Sequence, residues 1–219
     1  MKCIGTLVLV MASAGFANSQ DQWENVYRES AWKERDKWQQ AEEIIRKLGV
    51  GKGSTVADIG CHEGYMTLKL SKAVQDEGKV YAVDVDQSKL TLLSEHLKVR
   101  KINNVTVIKG DYDNPKLPAN AVDAVIILDT YHEMDDHEKI LQHVLIALKK
   151  GGRLVLCEPL EAKRKGLPRK EQEAKHELGI NYALEDLKNA GFEIAYQQDP
   201  FVDRIVKGDQ MWLIVATKK

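Results

Sequence analysis

The sequence predicts an α/β sandwich of three layers, with helices on both faces of a mostly parallel, seven-stranded sheet. From Ser54 onward, apolar runs rich in β-branched residues alternate with helical patterns, and this alternation is typical of right-handed crossovers between parallel strands. The run from Ala124 to Leu128 contains no polar residue, which indicates a strand covered on both faces. The join from Asp199 to Asp209 is too short for a crossover helix, so the last strand should be antiparallel.

Each element follows from its local pattern. Strands are expected near residues 54–60, 79–85, 105–109, 122–128, 152–157, 193–198 and 210–217. Helices are expected near residues 64–76, 88–101, 137–149 and 183–190.

Size and charge limit the classes of function. A chain of 219 residues is within the range of one domain. Its formal net charge of −1 argues against a polyanion-binding surface spread over the whole molecule, so no nucleic acid is expected as a partner.

The first residues resemble a secretory signal peptide, predicted to occupy residues 1–17. Lys2 precedes an apolar run from Ile4 to Ala14, and small residues follow at the positions that a signal peptidase reads, ending at Ala17. The run has about half of the roughly 20 residues that span a bilayer, so no transmembrane anchor is expected after cleavage. We expect an exported protein, periplasmic or secreted. The alternative is a true start at Met11, which would leave the protein cytoplasmic.

Residues 18–48 are predicted to form a separate helical segment before the main domain, residues 49–219. The segment carries aromatic and charged residues without proline, which suggests two short helices. Either these aromatics pack on the main domain, which is the preferred interpretation, or the segment acts as a lid that closes over a bound ligand.

The turn after the first strand carries the most informative residues. Asp58 and Gly60 reach the carboxyl end of that strand, where open α/β sheets bind ligands, and Gly64 precedes the next helix. A dinucleotide fold would have the pattern G-x-G-x-x-G here to seat a pyrophosphate. Glu63 beside the turn would repel a diphosphate, so an NAD-dependent reductase is disfavoured.

Asp84 ends the second strand, 24 residues after Gly60. A carboxylate at this place can accept hydrogen bonds from both ribose hydroxyls. The turn and this acid together predict a bound nucleoside. Asp86, just before Ser88, is better explained as a helix cap.

Four stretches together resemble the class I S-adenosylmethionine-dependent methyltransferases, small-molecule type, with a Rossmann-like fold. They are VADIGCHEGYMTLKL, VYAVDVDQSKL, IKGDYDNPKLPANAVDAVIILDTYHEM and LKKGGRLVLCEP, in the order and spacing of that family. The likeness extends from about Trp38 to Lys219, so residues 49–219 would be the methyltransferase domain. The resemblance implies S-adenosyl-L-methionine as cofactor and a seven-stranded sheet, which agrees with the independent strand count.

The resemblance also assigns roles by position. Asp58, Gly60 and Gly64 would surround the methionine moiety, and Asp84 would bind the ribose. Asp111 would bind the adenine amino group with Tyr112 beside the ring, and Asp129 would face the methionine end and the acceptor.

His62 stands where the family usually has a glycine. Two orientations are open: an outward side chain, which is the preferred interpretation, or an inward one that contacts the carboxylate of the cofactor.

The loop after the fourth strand contains the candidate catalytic residues His132 and Glu133. His132 is the best candidate for a general base, with Glu133 orienting it or contacting the acceptor. The alternative is that the pair only caps the following helix. No metal site is expected, because Asp136 interrupts the H-E-x-x-H pattern and no C-x-x-C pair occurs.

One sizeable insertion lies between Glu158 and Ala183, with a basic cluster at residues 163–170. A solvated charged loop is the common explanation, and attraction of an acidic substrate or a phospholipid surface is the alternative. Arg169 and His176 are candidates for contact with the substrate.

The sequence therefore predicts a methyltransferase that acts on a small or medium-sized acceptor. The alternative is a non-catalytic protein that binds S-adenosylmethionine or another nucleoside and retains the fold.

Overall fold

The computed structural model describes residues 28–204 and 207–219. The predicted signal peptide, residues 1–17, lies outside the described residues, and so does the first part of the predicted helical segment. The strands are β1 (Thr55–Ile59), β2 (Lys79–Asp84), β3 (Val105–Lys109), β4 (Val122–Leu128), β5 (Leu148–Leu160), β6 (Glu193–Arg204) and β7 (Asp209–Thr217). The helices are α1 (Trp32–Asp36), α2 (Ala41–Leu48), α3 (Tyr65–Val74), α4 (Gln87–Arg100), α5 (His137–Ala147), α6 (Arg169–Glu173) and α7 (Ile180–Asn189).

The strands form one seven-stranded sheet in the order β3-β2-β1-β4-β5-β7-β6. The first five strands are parallel to one another, whereas β7 is antiparallel to both β5 and β6. The predicted Rossmann-like sheet with an antiparallel last strand is confirmed. Because β1 pairs with β2 on one side and with β4 on the other, the direction of the strand order changes at β1, and a crevice opens at the carboxyl ends of these strands.

Helices cover both faces of the sheet, as the three-layer prediction requires. On one face, Leu141 and Val144 of α5 and Leu187 of α7 join the core. On the other face, Leu70 of α3 and Ile44 of α2 are completely buried. Each fully buried side chain of this kind contributes roughly 1.5–3 kcal/mol to folding.

The helical segment before the main domain packs against the sheet. Ala41, Ile44 and Leu48 of α2 lie in the same apolar cluster as Leu213 and Val215 of β7. The structure thus supports the preferred interpretation, packing on the main domain, for residues 41–48.

Two strands are longer than the sequence pattern indicated. β5 continues through Pro159 to Leu160 because β7 runs beside it, with Pro159 opposite Met211. β6 continues to Arg204 because it forms a long hairpin with β7. The hairpin brings residues 199–204 close to the carboxyl end of the sheet.

Within residues 28–204 and 207–219, no helix combines the length and the apolar character that a membrane crossing demands.

Candidate active site

A cavity of about 660 Å³ lies at the carboxyl ends of β1, β2 and β4. Nine of the ten residues proposed for cofactor binding and catalysis line it, although they are spread over residues 58–133 of the sequence. They are Asp58, Gly60, His62, Asp84, Asp111, Tyr112, Asp129, His132 and Glu133.

The two glycines of the turn, Gly60 and Gly64, each lie too close to a neighbouring side chain to carry a Cβ atom. Gly60 has a φ of +77°, and a Cβ there would overlap the side chain of Thr130, which follows β4. Gly64 is the residue that does not line the cavity. A Cβ at Gly64 would overlap Leu93 of α4 instead, so Gly64 lets α3 pack closely against α4. Its assignment to the methionine moiety stays a prediction.

Two buried or half-buried carboxylates face the cavity from the strand ends. Asp58 is 2% exposed, accepts a hydrogen bond from the Thr67 hydroxyl at 2.6 Å, and has a pKa raised to about 6 by burial. Asp84 accepts the backbone N–H of His62 at 2.8 Å and that of Asp86 at 2.9 Å. Burial also raises the pKa of Asp84. A cationic ligand would offset the cost of burying both negative charges.

His62 lines the cavity, so the expected outward orientation is wrong. Its φ of +50° lies in the left-handed region, which its middle position in the turn requires. Burial of the ring, with the positive charges of Lys89 and Arg35 nearby, lowers the pKa of His62 to about 4. The imidazole is therefore neutral at pH 7 and can offer hydrogen bonds but no charge.

Asp111 and Tyr112 lie at the open rim. Tyr112 is 78% exposed, and Asp111 forms an exposed ion pair with Lys116 at 2.8 Å. Both residues are accessible to a planar group that enters from solvent.

His132 is held by a carboxylate that the sequence analysis did not consider. The side chain of His132 is 3% exposed, and its Nδ1 lies 2.5 Å from Oε2 of Glu158, which is completely buried at the end of β5. The other oxygen of Glu158 accepts the backbone N–H groups of Thr130 and Tyr131 at 2.7 and 2.8 Å. Glu158, not Glu133, therefore fixes the orientation of the imidazole, and Nε2 points toward Glu133 at 3.7 Å.

The same contacts oppose the proposed role of His132 as a general base. Burial alone would lower its pKa, but the carboxylates of Glu158 and Glu133 outweigh burial and raise the pKa well above 6.5. The raised pKa favours the imidazolium, and only a neutral imidazole nitrogen can accept a proton.

Asp129, at the end of β4, is tied into a buried ion network. Its Oδ2 accepts a hydrogen bond from Nη1 of Arg204 at 2.7 Å, while Arg204 binds Asp209 through Nε and Nη2 at 2.6 and 2.5 Å. All three side chains are at most 3% exposed. This network fixes one wall of the cavity.

The lining of the cavity is strongly acidic. Seven of the lining residues are aspartates or glutamates, two are arginine or lysine, and three are histidines. The excess of acids favours a cationic ligand over a diphosphate. This agrees with the glycine turn, whose sequence disfavours a dinucleotide.

Comparison with known proteins connects this geometry with one family. Residues 56–152 match a family described as "Methyltransferase domain". A solved structure of a SAM dependent methyltransferase from Aquifex aeolicus has a TM-score of 0.70 and 25% identity, and the match covers 82% of this chain and 90% of that chain. The chain has the fold of the class I S-adenosylmethionine-dependent methyltransferases.

Among the sequence relatives of this chain are methyltransferases named for menaquinone and ubiquinone biosynthesis. A demethylmenaquinone methyltransferase of Geobacillus sp. (strain WCH70) is 30% identical over 122 residues, which are 56% of this chain and 51% of the relative. A ubiquinone/menaquinone biosynthesis C-methyltransferase of Enterobacter sp. (strain 638) is 32% identical over 111 residues, 50% of this chain and 44% of the relative. The chain spans about half the length of the curated relatives it matches.

Three residues of the candidate site were missed or undervalued by sequence reasoning. Arg35 of α1 is 6% exposed, lines the cavity, and its guanidinium carbon lies 4.1 Å from the centre of the Tyr65 ring. Lys89 of α4 also lines the cavity. Arg35 lies outside the four family-like stretches, whereas Lys89 lies within VYAVDVDQSKL but was not singled out. Glu158 could have been noticed as a lone acid at the end of a buried strand.

Proposed function

We propose that this chain transfers a methyl group from S-adenosyl-L-methionine to a small or medium-sized acceptor. The observation that carries the proposal is the acidic cavity at the carboxyl ends of β1, β2 and β4. Asp84 lines it and accepts a hydrogen bond from the glycine turn, and His132 also lines it. S-adenosylmethionine supplies an electrophilic methyl group on a sulfonium, so the protein has mainly to align cofactor and acceptor.

The described residues fit such a cofactor. Asp84 is held in place to accept hydrogen bonds from ribose hydroxyls, and Asp58 places negative charge near the cationic end. Because His62 is neutral, the charge that pairs with the cofactor carboxylate comes from Arg35, which stacking on Tyr65 holds at the cavity wall. Asp111 and Tyr112 at the rim receive the adenine.

Binding and turnover must be measured separately. Isothermal titration with S-adenosylmethionine and S-adenosylhomocysteine should show binding, and a panel of acceptors should include reduced demethylated quinones, because two relatives are named for quinone methylation. Release of S-adenosylhomocysteine with one acceptor supports the proposal. Tight binding without release on the panel favours the non-catalytic binding protein instead, and no binding contradicts both.

Replacing Asp84 with alanine should weaken binding of S-adenosylmethionine by roughly 1.5–3 kcal/mol, or about 10- to 150-fold, because hydrogen bonds to a charged group are lost. Calorimetry on folded protein measures the change. Asp84→Asn keeps an acceptor for the His62 N–H and isolates the effect of charge. Asp113→Ala, an exposed acid outside the cavity lining, is the matched control and should bind normally. If Asp84→Ala binds S-adenosylmethionine as tightly as the unaltered protein does, Asp84 does not bind the ribose.

Export remains a proposal based on residues 1–17. N-terminal sequencing of protein recovered from its native host should begin at Asn18, after cleavage behind Ala17. A first residue at Met11, or an intact Met1, would contradict cleavage at this site.

A further inference from the structure

Three side chains converge at the acceptor end of the cavity. Nε2 of His132 lies 3.7 Å from Oε1 of Glu133, and the same oxygen lies 3.2 Å from Nδ1 of His176. The two imidazole rings are perpendicular, with centroids 5.7 Å apart. One ligand atom from each residue falls within 4.8 Å of the other two.

These separations match a metal-binding triangle. Ligand atoms about 2.1 Å from one ion are about 3.0 Å apart in octahedral and about 3.4 Å apart in tetrahedral geometry. The measured edges of 3.2 and 3.7 Å lie close to these values. The third edge, between the two imidazole nitrogens, is at most 4.8 Å, so rotation of the exposed His176 side chain can bring all three ligand atoms onto a single ion.

The surroundings of His132 strengthen the case. Metal-binding histidines almost always donate their other ring N–H to a carboxylate or carbonyl, which fixes ring and tautomer. Glu158 is placed to accept the Nδ1 proton of His132, and its second oxygen is anchored by backbone N–H groups. Nε2 is thus directed at Glu133 and His176.

We propose that His132, Glu133 and His176 form a binding site for one divalent transition-metal ion, such as Zn²⁺. Two imidazoles and one carboxylate suit such ions, and three protein ligands leave at least one coordination position open. The three residues line the cavity, so the open position faces the space for the acceptor. This assignment replaces the expectation of no metal site.

Binding of the ion would displace the Nε2 proton of His132. An acceptor oxygen at the open position would lie beside the His132 loop, and the pKa of a coordinated hydroxyl would be lowered. This use of the ion rests on the proposed methyltransferase function, whereas metal binding itself does not.

The test uses the full chain without a histidine tag, stripped with EDTA and titrated with Zn²⁺ by calorimetry and with Co²⁺ by visible absorption. We expect one ion per chain. His176→Ala and Glu133→Gln, both at exposed side chains, should weaken binding at least tenfold, and His143→Ala on α5 should bind as the unaltered protein does. Glu158→Gln should weaken binding about 10- to 100-fold through the orientation of His132.

The outcomes separate the two proposals. The metal site is overturned if no Zn²⁺ binds, or if His176→Ala and Glu133→Gln bind Zn²⁺ as tightly as the unaltered protein does. Either result would have this meaning even if S-adenosylhomocysteine is still produced. Zn²⁺ bound through these residues in a protein that fails to bind S-adenosylmethionine supports the metal site and overturns the methyltransferase. Methyl transfer that EDTA abolishes and Zn²⁺ restores supports both.

Discussion

Replacing Arg204 with methionine is expected to lower the free energy of unfolding by about 3–5 kcal/mol, because Asp129 and Asp209 then keep their buried charges after losing the guanidinium between them. For a chain of this length such a loss lowers the melting temperature on the order of 10 °C. Urea unfolding monitored by tryptophan fluorescence and circular dichroism measures the change.

The matched control is Lys37→Met. Lys37 also forms an ion pair, with Glu34 at 2.7 Å, but both side chains are 68% exposed, and exposed pairs of this kind contribute little. A triple variant that also replaces Asp129 and Asp209 with asparagine should recover part of the lost stability. Equal stability of Arg204→Met and Lys37→Met would show that the buried network is not needed for folding.

Replacing Glu158 with alanine should also cost about 3–5 kcal/mol, because it breaks a buried ion pair with His132. The backbone N–H groups of Thr130 and Tyr131 lose their acceptor at the same time. Glu158→Gln is the matched variant: its amide oxygen can still accept both N–H groups, so it should lose less stability while losing the charge that faces His132. A stability loss as large in Glu158→Gln as in Glu158→Ala would locate the whole effect in the charge.

The pH dependence of this loss has a definite sign. The folded protein raises the pKa of His132 above its ordinary value of 6.5, so the ion pair contributes its full stability below pH 6.5. That contribution is lost as the pH rises through the raised pKa. The difference in unfolding free energy between the unaltered protein and Glu158→Ala should thus be larger at pH 6 than at pH 10. A difference that grows with pH would contradict the ion pair.

The positions of the strands could be predicted from the sequence because short apolar runs mark each strand. Runs such as Ala124 to Leu128 predict buried strands by composition alone, and all seven strands occur where they were expected. The errors concern strand ends that depend on partners distant in sequence. The extension of β5 to Leu160 requires β7 beside it, and no local sequence pattern predicts that pairing.

The site was predictable where residues belong to motifs and not where single residues meet by folding. Asp84 and His132 come from recognisable stretches, and both line the cavity. His176 lies 43 residues after Glu133 in a charged insertion, so spacing rules for metal ligands could not reveal it. The burial of Arg204 could not be read from the sequence, because charged residues usually face solvent.

The position of β7 has a consequence for synthesis of the chain on the ribosome. Although β7 is last in sequence, it lies inside the sheet, between β5 and β6. Until residues 209–217 leave the exit tunnel, β5 has an open edge, β6 has no partner, and Arg204 lacks Asp209. The nascent chain thus exposes a strand edge open to aggregation until β7 is complete, and loss of residues 209–217 would remove an interior strand of the sheet.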